Sequence, residues 1–242
     1  MSSQQHPQIA EIDAFWARRW NCDPAVIDTP GVNVIPLEIE GHPGLFQIVR
    51  RGATTIVGVP PERLEAVRQT DPPLTLTARQ LAGELELRAS ERAFEAGYRF
   101  YFNPTTFTLV ETTARRLMPE DRGAARRMLA ECEPAEVAEA EFEATLPLLF
   151  GAWVDGRLAA LAAFQAEFVQ LADVRVIVHP AHRRQGLARQ VVGALAAWGL
   201  ERGLLVQYEC SALNVASLAL ARSLGCWLYA EVEVILPDMG SR

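Results

Sequence analysis

One stretch of the sequence predicts a pair of parallel strands. An apolar run ends at Val178, and a turn follows it. From 187 to 198 apolar residues then recur at helical spacing, until Gly203 ends the helical pattern. The apolar run "LLVQYEC" comes next. A strand, a helix and a second strand in this order form a right-handed crossover with parallel strands, so the stretch predicts an α/β fold.

The turn between the first strand and the helix concentrates positive charge. It reads "HPAHRRQGLAR", and a helix that starts here leaves several backbone N–H groups without partners. The helix dipole adds positive potential at the same end, so the turn is a cradle for an anion such as phosphate. On spacing alone, a solvated helix start is the plainer alternative. The residues predicted to line the cradle are Arg183, Arg184, Gln185, Gly186, Leu187, Ala188 and Arg189.

Composition indicates an ordinary globular protein with a local basic site. Half of the 242 residues are hydrophobic, 22% are charged, and the formal net charge is −7. This acidic balance argues against nucleic acid as a partner, so the basic turn favours a small anionic ligand. Four scattered cysteines fit neither a zinc site nor a disulfide framework, and His179 and His182 lack a third metal ligand nearby. Without a secretory signal or a long apolar run, we expect a cytoplasmic protein with no membrane partner.

The remaining patterns predict mixed α and β structure on both sides of residue 105. In the second half, a helix is predicted from Pro119 to about Cys132, and two apolar runs around Asp155-Gly156 predict a hairpin. The third strand of this half is the run "FVQLADVRVIV". Beyond the crossover, Asn214 is expected to cap a helix that ends at Gly225, and an alternating strand follows.

The first half shows a helix at 8–20, strand-like runs between 32 and 59, two short helices and a strand that Pro104 stops. It contains no chemical motif, and we predict an N-terminal extension at 1–105 and a larger domain at 106–242.

The basic turn and its surroundings resemble the GNAT superfamily of acyl-CoA-dependent N-acetyltransferases. "RRQGLA" matches the family signature R/Q-x-x-G-x-G/A, and "NVASLALARSLGC" is similar to the family segment N-x-x-S-x-x-L-A-x-x-L-G-F. The turn matches neither G-x-x-x-x-G-K-[ST] nor G-x-G-x-x-G, which mark nucleotide-binding folds. The resemblance covers roughly residues 109–242 and implies a mixed sheet flanked by helices. Residues 1–105 resemble, more weakly, the N-terminal extension of some family members.

The resemblance also implies a cofactor and its contacts. Acetyl-CoA is the expected acyl donor, and main-chain groups of Val176, Ile177 and Val178 are expected to bind its pantetheine arm. Asn214 and Ser217 are expected to face the cofactor. Two positions depart from the family pattern: Cys226 replaces a phenylalanine, and Leu220-Ala221-Arg222 stands where many members carry a tyrosine that acts as the general acid.

Acetyl transfer to an amine needs a proton acceptor near the thioester. Asp173 on the first parallel strand and Glu209 on the second are the candidate bases, and each could instead be an exposed strand residue. Main-chain N–H groups at 176–178 are candidates for binding the carbonyl oxygen. Side chains alternate along a strand, so Glu209 and Tyr208 face opposite sides. If Tyr208 faces the cleft, it becomes the replacement acid and Asp173 the favoured base.

These observations predict an N-acetyltransferase that uses acetyl-CoA and an amine-bearing acceptor. A small molecule is favoured over a protein, and an amino acid, an antibiotic, a polyamine and a protein N-terminus all stay open as acceptors. The extension is assigned a role in the acceptor site or in a homodimer. Two other classes stay open: a non-catalytic acyl-CoA sensor and a phosphate-ligand scaffold module that shares the turn. The glutamates between 136 and 143 are expected to form a solvated face, with an amine-binding rim as the alternative.

Overall fold

The computed structural model describes residues 6–39, 41–87, 94–107, 111–165 and 170–236. Within these residues the α-helices are, in chain order, α1 (Ile9–Arg19), α2 (Ala25–Asp28), α3 (Leu64–Gln69), α4 (Ala78–Glu84), α5 (Arg122–Ala130), α6 (Pro134–Glu139), α7 (Leu187–Leu200) and α8 (Val215–Ser223). The strands are β1 (Gly31–Pro36), β2 (Phe46–Arg51), β3 (Thr54–Val59), β4 (Phe94–Tyr101), β5 (Arg115–Arg116), β6 (Leu149–Val154), β7 (Arg157–Gln165), β8 (Leu171–Val178), β9 (Leu205–Ser211) and β10 (Trp227–Ile235). No helix in this described part is long and apolar enough to cross a membrane.

The chain divides into two compact units that are not continuous in sequence. The first unit comprises Met1–Arg99, Cys210–Asn214 and Leu228–Arg242, and the second comprises Phe100–Glu209 and Val215–Trp227. The C-terminal strand therefore belongs with the N-terminal residues, whereas a single boundary after residue 105 assigns it to the second half. Whether 106–242 is a domain in its own right stays a prediction.

The first unit is a mixed sheet with short helices. Its strands lie in the order β1-β3-β2-β10-β4, with β1 parallel to β3 and β2 antiparallel to both β3 and β10. Thr77 caps helix α4: its hydroxyl accepts from the Gln80 N–H, while the Gln80 side chain accepts from the Thr77 N–H. Apolar residues of α4 such as Leu81 pack on the buried side chains of β2 and β3. The capping box and this apolar side explain why so short a helix forms.

The second unit has strand order β9-β8-β7-β6-β5. Strands β5 to β8 are antiparallel, and the β6–β7 turn has left-handed backbone at Asp155 and Gly156, as the hairpin signal predicts. Strands β8 and β9 are parallel, which confirms the predicted crossover. Phe168 and Val169, which we expected to begin this third strand, lie outside the described residues. The observed architecture confirms a mixed α/β fold.

Helices cover both faces of the second unit's sheet. On one face, Ala125 and Met128 of α5 pack with Leu161 of β7 and Ile177 of β8. On the other, Gly199 of α7 approaches so closely that an added Cβ would lie 2.8 Å from Val206 and 2.9 Å from Phe164. Odd-numbered residues of β8 and β9 thus face α5, and even-numbered residues face α7. Helices α2 and α6 and the two-residue strand β5 have no counterpart in the sequence prediction.

Candidate active site

The parallel strands β8 and β9 separate shortly after they begin. Their pairing covers Leu171 with Leu205, Ala172 with Val206 and Asp173 with Gln207. Beyond this point β8 continues to Val178 with β7 as its described partner, from Asp173 opposite Gln165 to Val178 opposite Ala160. A gap therefore opens between the two strands at Asp173 and Gln207. We refer to it below as the strand gap.

Main-chain groups of β8 point into the strand gap. The His179 N–H donates to the Ala159 carbonyl of the β7 side, and the Gln170 carbonyl accepts from the Leu205 N–H of β9. Because these directions alternate along a strand, the N–H and C=O groups of Val176 and Val178 are directed away from β7. The sequence prediction places cofactor contacts at 176–178. The backbone offers hydrogen-bonding groups there from Val176 and Val178, whereas those of Ile177 face β7.

The turn after β8 presents a second set of main-chain donors. Gly186 has left-handed backbone at φ 78°, and α7 begins at the next residue. Within the described part of the chain, no residue accepts a hydrogen bond from the backbone N–H groups of 185–189; the first such bond runs from Gln190 to the Gly186 carbonyl. Nothing lies within 4 Å of a Cβ added at Gly186. Open N–H groups at a helix N-terminus are the geometry that anion binding requires.

The arginines of the turn differ in their surroundings. Arg183 places Nη2 2.6 Å from Glu136 Oε2 of α6, and its Nε donates to the Val178 carbonyl at 3.4 Å. Its charge is thus balanced by an acidic residue. Arg184 and Arg189 are exposed and make no ion pair with a described residue. Arg184 also adopts left-handed backbone at φ 60°. These two arginines supply the positive charge that faces solvent at the cradle.

His179 at the end of β8 is held in one orientation. Its Nδ1 accepts from the Ala181 N–H at 3.2 Å, and its Nε2 lies 3.1 Å from Glu131 Oε2. With Nδ1 acting as acceptor, Nε2 carries the proton and donates to Glu131. Across the described residues no group of three or more metal-ligating side chains occurs.

Both candidate bases belong to one hydrogen-bonded network at the mouth of the strand gap. The Gln207 side chain, 3% exposed, directs Nε2 to Asp173 Oδ1 at 3.4 Å and to Glu209 Oε2 at 3.2 Å. The Tyr101 hydroxyl donates to Gln207 Oε1 at 2.8 Å. Because Oε1 is the acceptor in that bond, the amide nitrogen must face the carboxylates. The three side chains of β8 and β9 lie on the face that α5 covers.

Arg175 distinguishes the two carboxylates. Its Nη1 lies 2.7 Å from Asp173 Oδ2, and its Nη2 lies 2.9 Å from Glu141 Oε2. Protonation of Asp173 would give up its charge-assisted contact with Arg175. Glu209 is half-buried and lies two residues beyond Gln207 on β9, where β9 is no longer paired with β8. The network therefore gives Asp173 an ion-pair partner and places Glu209 further along the gap.

Tyr208 and Ser217 meet on the opposite face. Tyr208 is 1% exposed, and its hydroxyl lies 2.6 Å from Ser217 Oγ of α8. Glu209 therefore shares a face with Asp173, and Tyr208 lies on the other face of β9, in contact with α8. Asn214 is exposed, immediately precedes α8, and donates its N–H to the Ser211 carbonyl at 3.1 Å.

Sequence reasoning missed Tyr101, Gln207 and Arg175, and it missed the pairing role of Glu136 and Glu141. A signal for two of them was present. Polar residues occupy alternate positions of otherwise apolar strands, at Asp173 and Arg175 in β8 and at Gln207 and Glu209 in β9. Polar side chains on a buried face need hydrogen-bond partners, and the neighbouring strand is the nearest place to find them. The sequence predicts a solvated face for the glutamates at 136 and 141, and the structure pairs them with Arg183 and Arg175.

The fold and the site define a mixed α/β domain with an open strand edge that leads into a helix N-terminus. Residues 114–226 match the model of the acetyltransferase (GNAT) family, and this part of the chain is a GNAT acetyltransferase domain. No curated protein matches the chain significantly.

Solved structures of GNAT-family and GCN5-related proteins resemble the chain. A GNAT-family acetyltransferase from Colwellia psychrerythraea is 20% identical, with 75% of this chain and 76% of that chain covered and a TM-score of 0.50. A GCN5-related N-acetyltransferase-like protein from Streptococcus suis is 18% identical over 93% of this chain and 98% of that one, with a TM-score of 0.48. A GCN5-related N-acetyltransferase from Kribbella flavida is 21% identical, with 66% of this chain covered and a TM-score of 0.47. The match spans 64% of the Kribbella protein's own length.

Proposed function

We propose that the protein transfers an acetyl group from acetyl-CoA to the amine of a small-molecule acceptor. The observation that carries the proposal is the open main-chain edge of β8 followed by the N–H groups of 185–189, which donate to no described residue. An extended, amide-bearing arm that leads to a pyrophosphate would use both features in that order. The family match of residues 114–226 supports the same reaction class.

The residues of the turn fit the phosphate groups of acetyl-CoA. The cradle N–H groups would bind the pyrophosphate, with Arg184 and Arg189 adding positive charge. Val176 and Val178 would bind the pantetheine amides through their main chain. When bound, acetyl-CoA supplies an acetyl group that is already activated as a thioester. Ser217, held by the Tyr208 hydroxyl, is the side chain proposed to contact the ligand from α8, and Asn214 keeps the cofactor role that the family resemblance gives it.

Glu209 is the proposed general base. An alkyl ammonium must lose a proton before its nitrogen can attack a carbonyl carbon, and Glu209 would accept it directly or through one water molecule. The new N–C bond forms as the C–S bond breaks. The nitrogen loses its second proton to solvent as the amide forms, and the departing thiolate takes up one proton from solvent. The reaction thus yields the amide, CoA thiol and the one proton that Glu209 accepted. Asp173, held by Arg175, keeps the Gln207 amide in place beside Glu209.

Release of CoA thiol tests the proposal. The full-length protein would be incubated with acetyl-CoA and a panel of primary amines, and acetylated products would be identified by mass spectrometry. We expect amine-dependent thiol release with one acetyl group added per thiol. Acetyl-CoA binding without acetylation of any amine would favour the acyl-CoA sensor. Absence of acetyl-CoA binding would favour the phosphate-ligand module.

A further inference from the structure

A groove of about 520 Å³ lies between α5, α6 and the segment that follows α6. Its volume falls within the range of small-molecule sites, about 300–1,000 Å³. Its larger apolar lining residues are Leu129, Val137 and Phe142, and its lining also includes two carboxylates, Glu141 and Glu143. We refer to it as the α5–α6 groove.

The apolar part of the α5–α6 groove carries no charge. Cys132 contributes to it, and its Sγ donates to the Met128 carbonyl at 3.3 Å. Burial raises the pKa of the Cys132 thiol, with Glu136 adding to the rise, so the sulfur stays protonated at neutral pH. A neutral thiol behaves as a small apolar group. The hydrocarbon part of a ligand can therefore lie against Cys132 without removing water from a charged thiolate.

The rim of the α5–α6 groove is acidic and adjoins the proposed active site. Glu141 and Glu143 are both exposed. The Glu141 carboxylate contacts Arg175, whose other terminal nitrogen contacts Asp173. The Glu143 carboxylate accepts from the Thr145 hydroxyl at 2.8 Å and makes no ion pair with a described cation. A cation at Glu143 would thus find a carboxylate whose charge is not already balanced.

We infer that the α5–α6 groove binds an amphipathic amine, with its hydrocarbon part against Leu129, Val137 and Phe142 and its ammonium at Glu143. The inference rests on the proposed function and deepens it, because it names alkyl or aryl monoamines as the acceptor class. Charge complementarity selects a cation, and the apolar lining selects a hydrocarbon. A polyamine or an aminoglycoside, with charges along its whole length, would place ammonium groups against uncharged walls.

Binding of a non-reacting probe tests the groove itself. N,N-dimethylalkylamines of increasing chain length carry the ammonium and the hydrocarbon, but they have no N–H left to form an amide. Calorimetry on the full-length protein without acetyl-CoA should show affinity rising about fourfold per methylene until the groove is filled. For primary amines of the same lengths, KM should fall by a similar factor per methylene, and kcat should stay unchanged.

Matched variants on α6 locate the effect. Ala138 lines the groove and Ala135 does not, and both are exposed, so neither substitution strains the core. Ala138→Trp should remove the dependence of affinity on chain length, whereas Ala135→Trp should retain it.

The charge of Glu143 is tested separately. Glu143→Gln should lower the affinity for every probe about tenfold. Glu139→Gln, an exposed glutamate of α6 outside the lining, should leave affinity within about twofold of the parent protein.

The results separate the groove from the reaction. Affinity that does not depend on chain length, or an equal effect of Ala138→Trp and Ala135→Trp, would overturn the inference. Tighter binding of spermidine than of any monoamine would overturn it as well. If the probes bind as expected but no amine is acetylated, the groove stands and the proposed function fails.

Discussion

The two units of the chain use charge in different ways. In the first unit, the Asp13 carboxylate lies 3.0 Å from Arg51 Nη2 and accepts from the Tyr229 hydroxyl at 3.0 Å. Glu233 likewise contacts Arg50 at 2.6 Å and accepts from the Ala78 N–H at the start of α4. These contacts join strands to helices within that unit. In the second unit, the polar groups surround main-chain donors that no described residue satisfies.

This difference separates structural charge from functional charge. A carboxylate that joins two elements contributes to the free energy of unfolding, because its loss leaves a partner unsatisfied. Open N–H groups contribute nothing to the free protein's stability and gain a partner when a ligand binds. Substitutions in the first unit should therefore change stability, and those at the strand gap should change binding or turnover. The following predictions test that division, from the largest expected effect to the smallest.

Gly186→Glu should weaken acetyl-CoA binding by roughly 100-fold or more, because it adds bulk and negative charge where phosphate is expected. Gly156→Glu is the matched control. Gly156 has nearly the same backbone, φ 76° against 78°, and equally open space around its Cβ, but it lies in the β6–β7 turn. Calorimetry should find the control within about twofold of the parent protein. Equal losses of acetyl-CoA affinity in the two variants would contradict the proposal that the turn at Gly186 binds the phosphate groups.

Glu209→Gln should lower kcat by about 100-fold, with partial recovery at high pH, because the free amine then forms without a base. Asp173→Asn should lower kcat by about tenfold or less, since Asp173 acts through Gln207 in our proposal. Full pH–rate profiles of both variants would measure the difference. An Asp173→Asn loss larger than that of Glu209→Gln would exchange their roles.

Gln207→Leu should lower kcat by about tenfold, because Glu209 and Asp173 lose the amide that lies between them. Gln47→Leu supplies the control, since Gln47 is a buried glutamine of β2 in the first unit. It should cost stability in urea unfolding and leave kcat within about twofold of the parent protein. Equal kcat values for Gln207→Leu and Gln47→Leu would reduce Gln207 to a structural residue.

The smallest expected effect is a pH dependence of stability with opposite signs in the two units. Burial raises the pKa of Asp13 above 3.8, despite the opposing effect of Arg51. The folded state then holds its proton more tightly than the unfolded state, so this contribution is full below 3.8 and is lost as pH rises through the folded pKa. Asp13→Asn should remove that decline in urea unfolding.

In the second unit, the hydrogen bond from Arg115 lowers the pKa of Asp121 below 3.8. Its contribution is present above 3.8 and is lost as pH falls through the folded pKa. Asp121→Asn should therefore flatten the acid side of the stability curve, where Asp13→Asn flattens the side above 3.8. Identical pH slopes for the two variants would contradict the assignment of opposite signs.

Local patterns predicted the crossover, but not the partners of its side chains. The β8–turn–α7–β9 order follows from periodicity and from Gly186 and Gly203, which act within a few residues. The bond from Tyr101 to Gln207 joins residues 106 positions apart, and that from Arg183 to Glu136 joins residues 47 apart. Such pairs depend on how elements pack, which no local pattern contains. Helix α6 was missed because six residues starting at Pro134 carry too little periodicity.

The short pairing of β8 with β9 also bears on aggregation. A strand edge with unpaired N–H and C=O groups is normally a template for another chain, and proteins protect such edges with charges, bulges or covering elements. Here the main-chain groups of Val176 and the Val178 N–H, which pair with no described strand, lie between two strands of one sheet, and the gap closes at Asp173 and Gln207. A foreign strand cannot run past that closed end. The hydrogen-bonding edge is thus open to a narrow ligand but closed to a strand of another protein molecule.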